Sequence, residues 1–122
     1  MAKKLLLLVE DNPLLMGLYK AAFREKGVEI EVANDGKTGL DIAKRDKPDL
    51  IVLDILMVGM SGLEVLEALR KDDATKDIGV VILTIVNKKE TIEKAKALGV
   101  KDYLIKSELK VDEIVKAVTA HL

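Results

Sequence analysis

Three carboxylates, a hydroxyl and an ammonium stand directly behind short apolar runs in this chain. Glu10 and Asp11 follow Leu5 to Val9, Asp54 follows Leu50 to Leu53, Thr84 follows Val80 to Leu83, and Lys106 closes the run Asp102 to Ile105. Three acids in one crevice repel one another, and a hard divalent cation with oxygen ligands removes that conflict. Mg²⁺ is the expected occupant, with Mn²⁺ the alternative.

These groups meet only if the apolar runs are neighbouring strands of one sheet. Leu5 to Val9, Leu50 to Leu53 and Val80 to Leu83 are unbroken apolar stretches, as strands buried on both faces require. Val28 to Val32 alternates apolar residues with Glu29 and Glu31, the pattern of a half-exposed edge, and Asp102 to Ile105 supplies a fifth strand. Helical periodicity falls between them, over Leu14 to Lys26, Lys37 to Arg45, Gly62 to Lys71, Lys89 to Leu98 and Val111 to His121. Alternating units of this length need crossover connections. The architecture expected is α/β: a five-stranded parallel sheet with five helices on both faces, one domain over residues 1–122. In such sheets ligands bind beyond the carboxyl ends of the strands, where the acids and Lys106 stand.

Composition narrows the function. The 20 Lys and Arg balance 21 Asp and Glu, which argues against a globally basic nucleic-acid binder. Cysteine is absent, excluding disulfides and thiolate metal sites, and fits a cytoplasmic location. The apolar run behind Lys3 and Lys4 is too short for a signal peptide or a bilayer span, so no membrane association is expected. The lone His121 stands at the end of the last helical pattern and is given no role beyond its terminal turn.

Five motifs in order, Val-Glu-Asp-Asn at 9–12, Leu-Asp-Ile-Leu-Met at 53–57, Met60-Ser61-Gly62, Leu83-Thr84 and Asp102-Tyr103-Leu104-Ile105-Lys106, resemble the response-regulator receivers of two-component signalling. The resemblance covers essentially the whole chain. It implies a flavodoxin-like, doubly wound (βα)5 fold resembling the chemotaxis regulators, and a phosphoprotein of phosphorelay signal transduction. Asp54 then matches the phosphoacceptor. Asp11, Asp54 and the backbone carbonyl of Leu56 match magnesium ligands, and Glu10 acts on the metal through water. Lys106 and Thr84 match the groups that contact the phosphoryl oxygens, and Thr84 and Tyr103 the switch pair. The implied partners are a histidine kinase or phosphotransfer protein and a downstream protein target, without direct nucleic-acid binding. The protein is expected as a monomer or a phosphorylation-dependent dimer that signals through its fourth helix, fifth strand and fifth helix, roughly Lys88 to Leu122. It is not an enzyme beyond catalysing its own phosphorylation and slow dephosphorylation.

Several positions depart from the family pattern. Val58 stands where proline is common, which frees the loop after Asp54. Lys106-Ser107 replaces a Lys-Pro pair that is often cis. Either the bond is trans and the lysine is aimed differently, or strain is retained. Ser107 is also a candidate cap for the last helix, with Glu108 in its first turn. Ile85, where a small residue is usual, is expected to restrict phosphodonor access. Leu56 and Val86 border the phosphoryl position by resemblance and cannot hydrogen-bond an attacking water, so a long-lived phosphorylated state is expected. The alternative is a phosphorylation-independent pseudo-receiver serving as an interaction module. For Asp11, a purely structural alternative is an N-cap for the helix that begins near Pro13.

Overall fold

In the computed structural model, which describes residues 3–122, five strands alternate with five α-helices. They are β1 (Leu5–Val9), α1 (Pro13–Glu25), β2 (Glu29–Ala33), α2 (Gly36–Asp46), β3 (Leu50–Leu53), α3 (Gly62–Lys71), β4 (Gly79–Thr84), α4 (Lys89–Ala97), β5 (Asp102–Ile105) and α5 (Val111–Thr119). All strand pairs are parallel, in the order β2-β1-β3-β4-β5. This is the doubly wound α/β architecture expected from the sequence, with the alternating β2 at an edge. Its chain reverses direction across the sheet between β1 and β3, and that switch point opens the crevice at their carboxyl ends.

Strand alternation divides the core in two. Leu7, Val9, Ile51, Leu53, Val80 and Ile82 pack with α2, α3 and α4 through Leu40, Ile42, Ala43, Val65, Leu66, Leu69 and Ala95. Leu6, Leu8, Leu50, Val52, Val81 and Leu83 pack with α1 and α5 through Tyr19, Phe23, Ile114, Val115 and Val118. The unbroken apolar runs are thus a consequence of burial on both faces.

The local signals that start and stop these elements lie close to the site. Asn12 caps α1, its Oδ1 accepting from the amides of Leu14 and Leu15, with Pro13 in the first helical position. Ser61 and Glu64 form a reciprocal capping box at the start of α3. Gly62 is there for space: a Cβ would lie 2.0 Å from the Asp54 carbonyl oxygen and 2.7 Å from the Ile55 Cα.

The last turn before α5 corrects one expectation. Lys106–Glu108 forms a 3₁₀ turn, so Ser107 does not cap the final helix. The cap position is Lys110, whose amide donates to Glu113 at 2.9 Å. The turn consumes the residues that would have formed an earlier helical start. At the other end α5 stops at Thr119, and His121 leaves the helix with Nε2 3.4 Å from Oδ2 of Asp102, a link from the C-terminus to β5.

Candidate functional site

The strand parity that divides the core also sorts the polar groups. Continued past β1, β3 and β5, the alternation sends Glu10, Asp54 and Lys106 to one side, whereas Thr84 and Tyr103 share the side of α4. Two linked clusters result.

In the first, the Lys106 ammonium donates to Oδ2 of Asp54 at 2.7 Å and to Oε1 of Glu10. Both acids are buried, at 2 % and 4 % relative exposure for Glu10 and Asp54, and their remaining oxygens are also engaged. The Asn12 amide donates to Oε2 of Glu10 at 3.0 Å, and the Leu56 amide to Oδ1 of Asp54 at 3.1 Å. Burial is the largest influence on the Lys106 ammonium and pulls its pKa down. The hydrogen bonds and charges of Asp54 and Glu10 together outweigh it and hold the pKa above the ordinary lysine value.

Asp11 completes the acid set. With Asn12 serving as the cap of α1, the Asp11 side chain is not used for capping, and its Oδ2 accepts from the Val58 amide at 3.1 Å. Proline at position 58 would have no hydrogen to give, and the freedom expected of this loop is countered by that bond. One carboxylate oxygen from each of Glu10, Asp11 and Asp54 lies within 4.8 Å of the others. Three formal negative charges and one ammonium leave a deficit of two, and the donors are all hard oxygens; both features fit a divalent cation such as Mg²⁺. The crevice above them, about 260 Å³, is bordered by Asn12, Leu15, Leu56 and Ile85 as well as the acids and Lys106.

The second cluster hangs on one residue. The Val86 amide donates to Oγ1 of Thr84 at 3.3 Å, and the Val86 carbonyl accepts from the Tyr103 hydroxyl at 2.7 Å. Thr84 is fully buried. The structure therefore brings Leu56 and Ile85 to the mouth of the crevice, both exposed, and sets the Val86 side chain against the core beneath α2, α3 and α4. The peptide between Lys106 and Ser107 is trans, since no cis bond occurs among the described residues, and Lys106 still reaches both acids.

Sequence reasoning missed four contributors. Tyr19 is buried on α1 within range of the charges of Lys106, Glu10 and Asp54; burial, above all, raises its phenol pKa. Its sequence signal was that of a core aromatic, four residues from Leu15 and four from Phe23. The amides of Asn12, Leu56 and Val58 carry no signal in residue identity, since nearly every residue has one.

A parallel doubly wound sheet carries, at the carboxyl ends of its strands, an acidic crevice of three carboxylates and a lysine that could hold a divalent cation. Residues 6–119 match the family model described as the response regulator receiver domain, and the chain belongs to that family. It is 39 % identical to the transcriptional activator protein PfeR of Pseudomonas aeruginosa over 83 % of its length, spanning 32 % of that protein. It is 32 % identical to the polar-differentiation response regulator DivK of Brucella anthropi, covering 98 % of this chain and 96 % of DivK. Among solved structures, the chemotaxis protein CheY4 of Vibrio cholerae superposes with a TM-score of 0.90 at 26 % identity, covering 99 % of this chain and all of that one. Receivers of this family are signalling phosphoacceptors of two-component systems that bind Mg²⁺ at an acidic pocket and interact with histidine kinases or phosphotransfer proteins. No helix among the described residues is long and apolar enough to cross a membrane.

Proposed function

We propose that residues 1–122 form one receiver domain, cytoplasmic, in which Asp54 accepts a phosphoryl group from a phosphohistidine donor. The observation that carries this reading is the Lys106 ammonium, held between buried Asp54 and Glu10 with Asp11 beside them. A phosphate-independent module has no use for an ionic cluster whose burial is costly.

In the transfer, an Asp54 carboxylate oxygen forms a bond to phosphorus as the bond from phosphorus to the donor imidazole nitrogen breaks. The imidazole leaves with the electron pair. Asp11, Asp54 and the Leu56 carbonyl would hold Mg²⁺, with Glu10 acting through water, and the bound cation would supply positive charge against the phosphoryl oxygens. Lys106 remains paired with the acceptor and takes up phosphoryl oxygen charge.

Signalling follows from the second cluster. The Thr84 hydroxyl, whose oxygen now accepts from the Val86 amide, would donate its hydrogen to a phosphoryl oxygen. Rotation of Thr84 toward that oxygen loosens the Val86 bond, and any displacement of Val86 reaches Tyr103 through its carbonyl. The surface of α4, β5 and α5 is then the surface that changes. Intact mass after incubation with Mg²⁺ and a small acyl phosphate tests the proposal. One added phosphoryl group, lost in Asp54→Asn and in chelator, is the expected outcome. No gain from acyl phosphates or histidine kinases would instead favour the phosphate-independent module.

A further inference from the structure

We propose that the backbone amide of Val58 is a positioning group for the acid site, holding the Asp11 carboxylate in place and so strengthening the uptake of a divalent cation. The inference rests on the reading of Glu10, Asp11 and Asp54 as a Mg²⁺ site.

The three acids are not equally restrained. Glu10 is fixed by Lys106 and the Asn12 amide, and Asp54 by Lys106 and the Leu56 amide, both in near-complete burial. Asp11 is only half-buried, and among the described residues its carboxylate has one hydrogen-bond partner, the Val58 amide. Without that bond its side chain would have to be ordered when the cation arrives, at a cost in entropy.

The Val58 side chain does not account for its place, since it is 88 % exposed. Its backbone does. Gly59 adopts a φ of 81°, a bend that glycine accommodates without strain, and just before it the Val58 amide points at Asp11.

The bond orients rather than competes. A carboxylate offers about four lone-pair sites, and one donor to Oδ2 leaves Oδ1 and a second lone pair on Oδ2 for a cation. Outer-sphere donors on metal-binding carboxylates and imidazoles act in this way.

Calorimetric titration of the full chain with Mg²⁺ compares wild type, Val58→Pro and Val58→Ala. Proline suits the position before a positive-φ glycine but has no amide hydrogen. Val58→Pro is expected to bind Mg²⁺ about fivefold more weakly, the worth of roughly one hydrogen bond, and Val58→Ala, which retains the amide, like the wild type. Equal or tighter binding by Val58→Pro overturns the proposal while leaving the cation site standing. Failure of the wild type to bind Mg²⁺ at all removes both. Should Val58→Pro not fold, hydrogen exchange of the wild-type Val58 amide decides: protection that persists in saturating Mg²⁺ supports the positioning role, and exchange at the rate of an open loop refutes it.

Discussion

The Lys106 ammonium lies 2.7 Å from Oδ2 of Asp54 across a separation of 52 residues, and the same nitrogen donates to Glu10. One cation therefore balances two buried carboxylates from two other strand ends. Removing it strands both.

Lys106→Met is expected to cost about 3 kcal/mol of folding stability in chelator, the usual result of removing one partner of a buried pair. Added Mg²⁺ should recover part of that loss by binding the native state alone. Urea unfolding with and without Mg²⁺ measures both effects. A variant as stable as wild type in chelator would show that the acids do not depend on the lysine.

The same pair sets an alkaline dependence. Because the folded-state pKa of Lys106 is raised above 10.5, its stabilising contribution is complete below the unfolded value and is lost as pH rises through the folded one. The stability gap between wild type and Lys106→Met should stay level from pH 8 to about 10 and close above that. Urea midpoints over this range provide the check, and a gap that widens with alkalinity contradicts the sign.

Two glycines should respond oppositely to alanine. Gly62→Ala places a Cβ against the Asp54 and Ile55 backbone, which cannot rotate away, so α3 must shift at a cost of about 3 kcal/mol or more. Gly17→Ala, inside α1 with nothing within 4 Å, should stabilise by roughly 0.5–1 kcal/mol. Thermal melts of the two variants, run side by side, separate a requirement for space from an ordinary helix-propensity defect.

Arg70 of α3 pins the far end of α4. Its guanidinium donates to the carbonyls of Leu98 at 2.7 Å, Ile78 at 2.8 Å and Lys76 at 3.1 Å. By contrast, Lys88 at the start of α4 makes no side-chain cap bond. Arg70→Ala should cost about 2 kcal/mol, because several carbonyls lose a charged donor together. Amide exchange in residues 98–101 should accelerate more than in β1, and uniform acceleration would argue against a local anchor.

Leu56 and Ile85 border the crevice with side chains that can neither donate to nor accept from water. Leu56→Asn is expected to speed loss of the phosphoryl group about tenfold, the worth of one hydrogen bond to the attacking water. Ile85→Ala should speed phosphorylation by a small acyl phosphate by widening the approach. Phosphoprotein decay and formation rates are the readouts, and an unchanged or slower decay in Leu56→Asn removes the proposed role of Leu56.

Much of this protein was legible before any fold was seen. Apolar runs of four or five residues, separated by helical periodicity, require a parallel sheet covered on both faces, and the polar residues that end those runs must meet at one rim. Hence Glu10, Asp11, Asp54, Thr84 and Lys106 could be named together, and five ordered motifs pointed to one family. Boundaries shifted by a residue or two, as for β2, which begins at Glu29 rather than Val28.

Only tertiary structure decided how those residues divide and what holds them. Whether Asp11 or Asn12 caps α1, whether Lys106 reaches the acids through a trans bond, and whether Val86 faces the crevice or the core depend on the path of three loops. The partners that fix Glu10, Asp11 and Asp54 include the amides of Asn12, Val58 and Leu56. An amide is common to almost every residue, so its direction is invisible in residue identity and is set by backbone dihedrals alone.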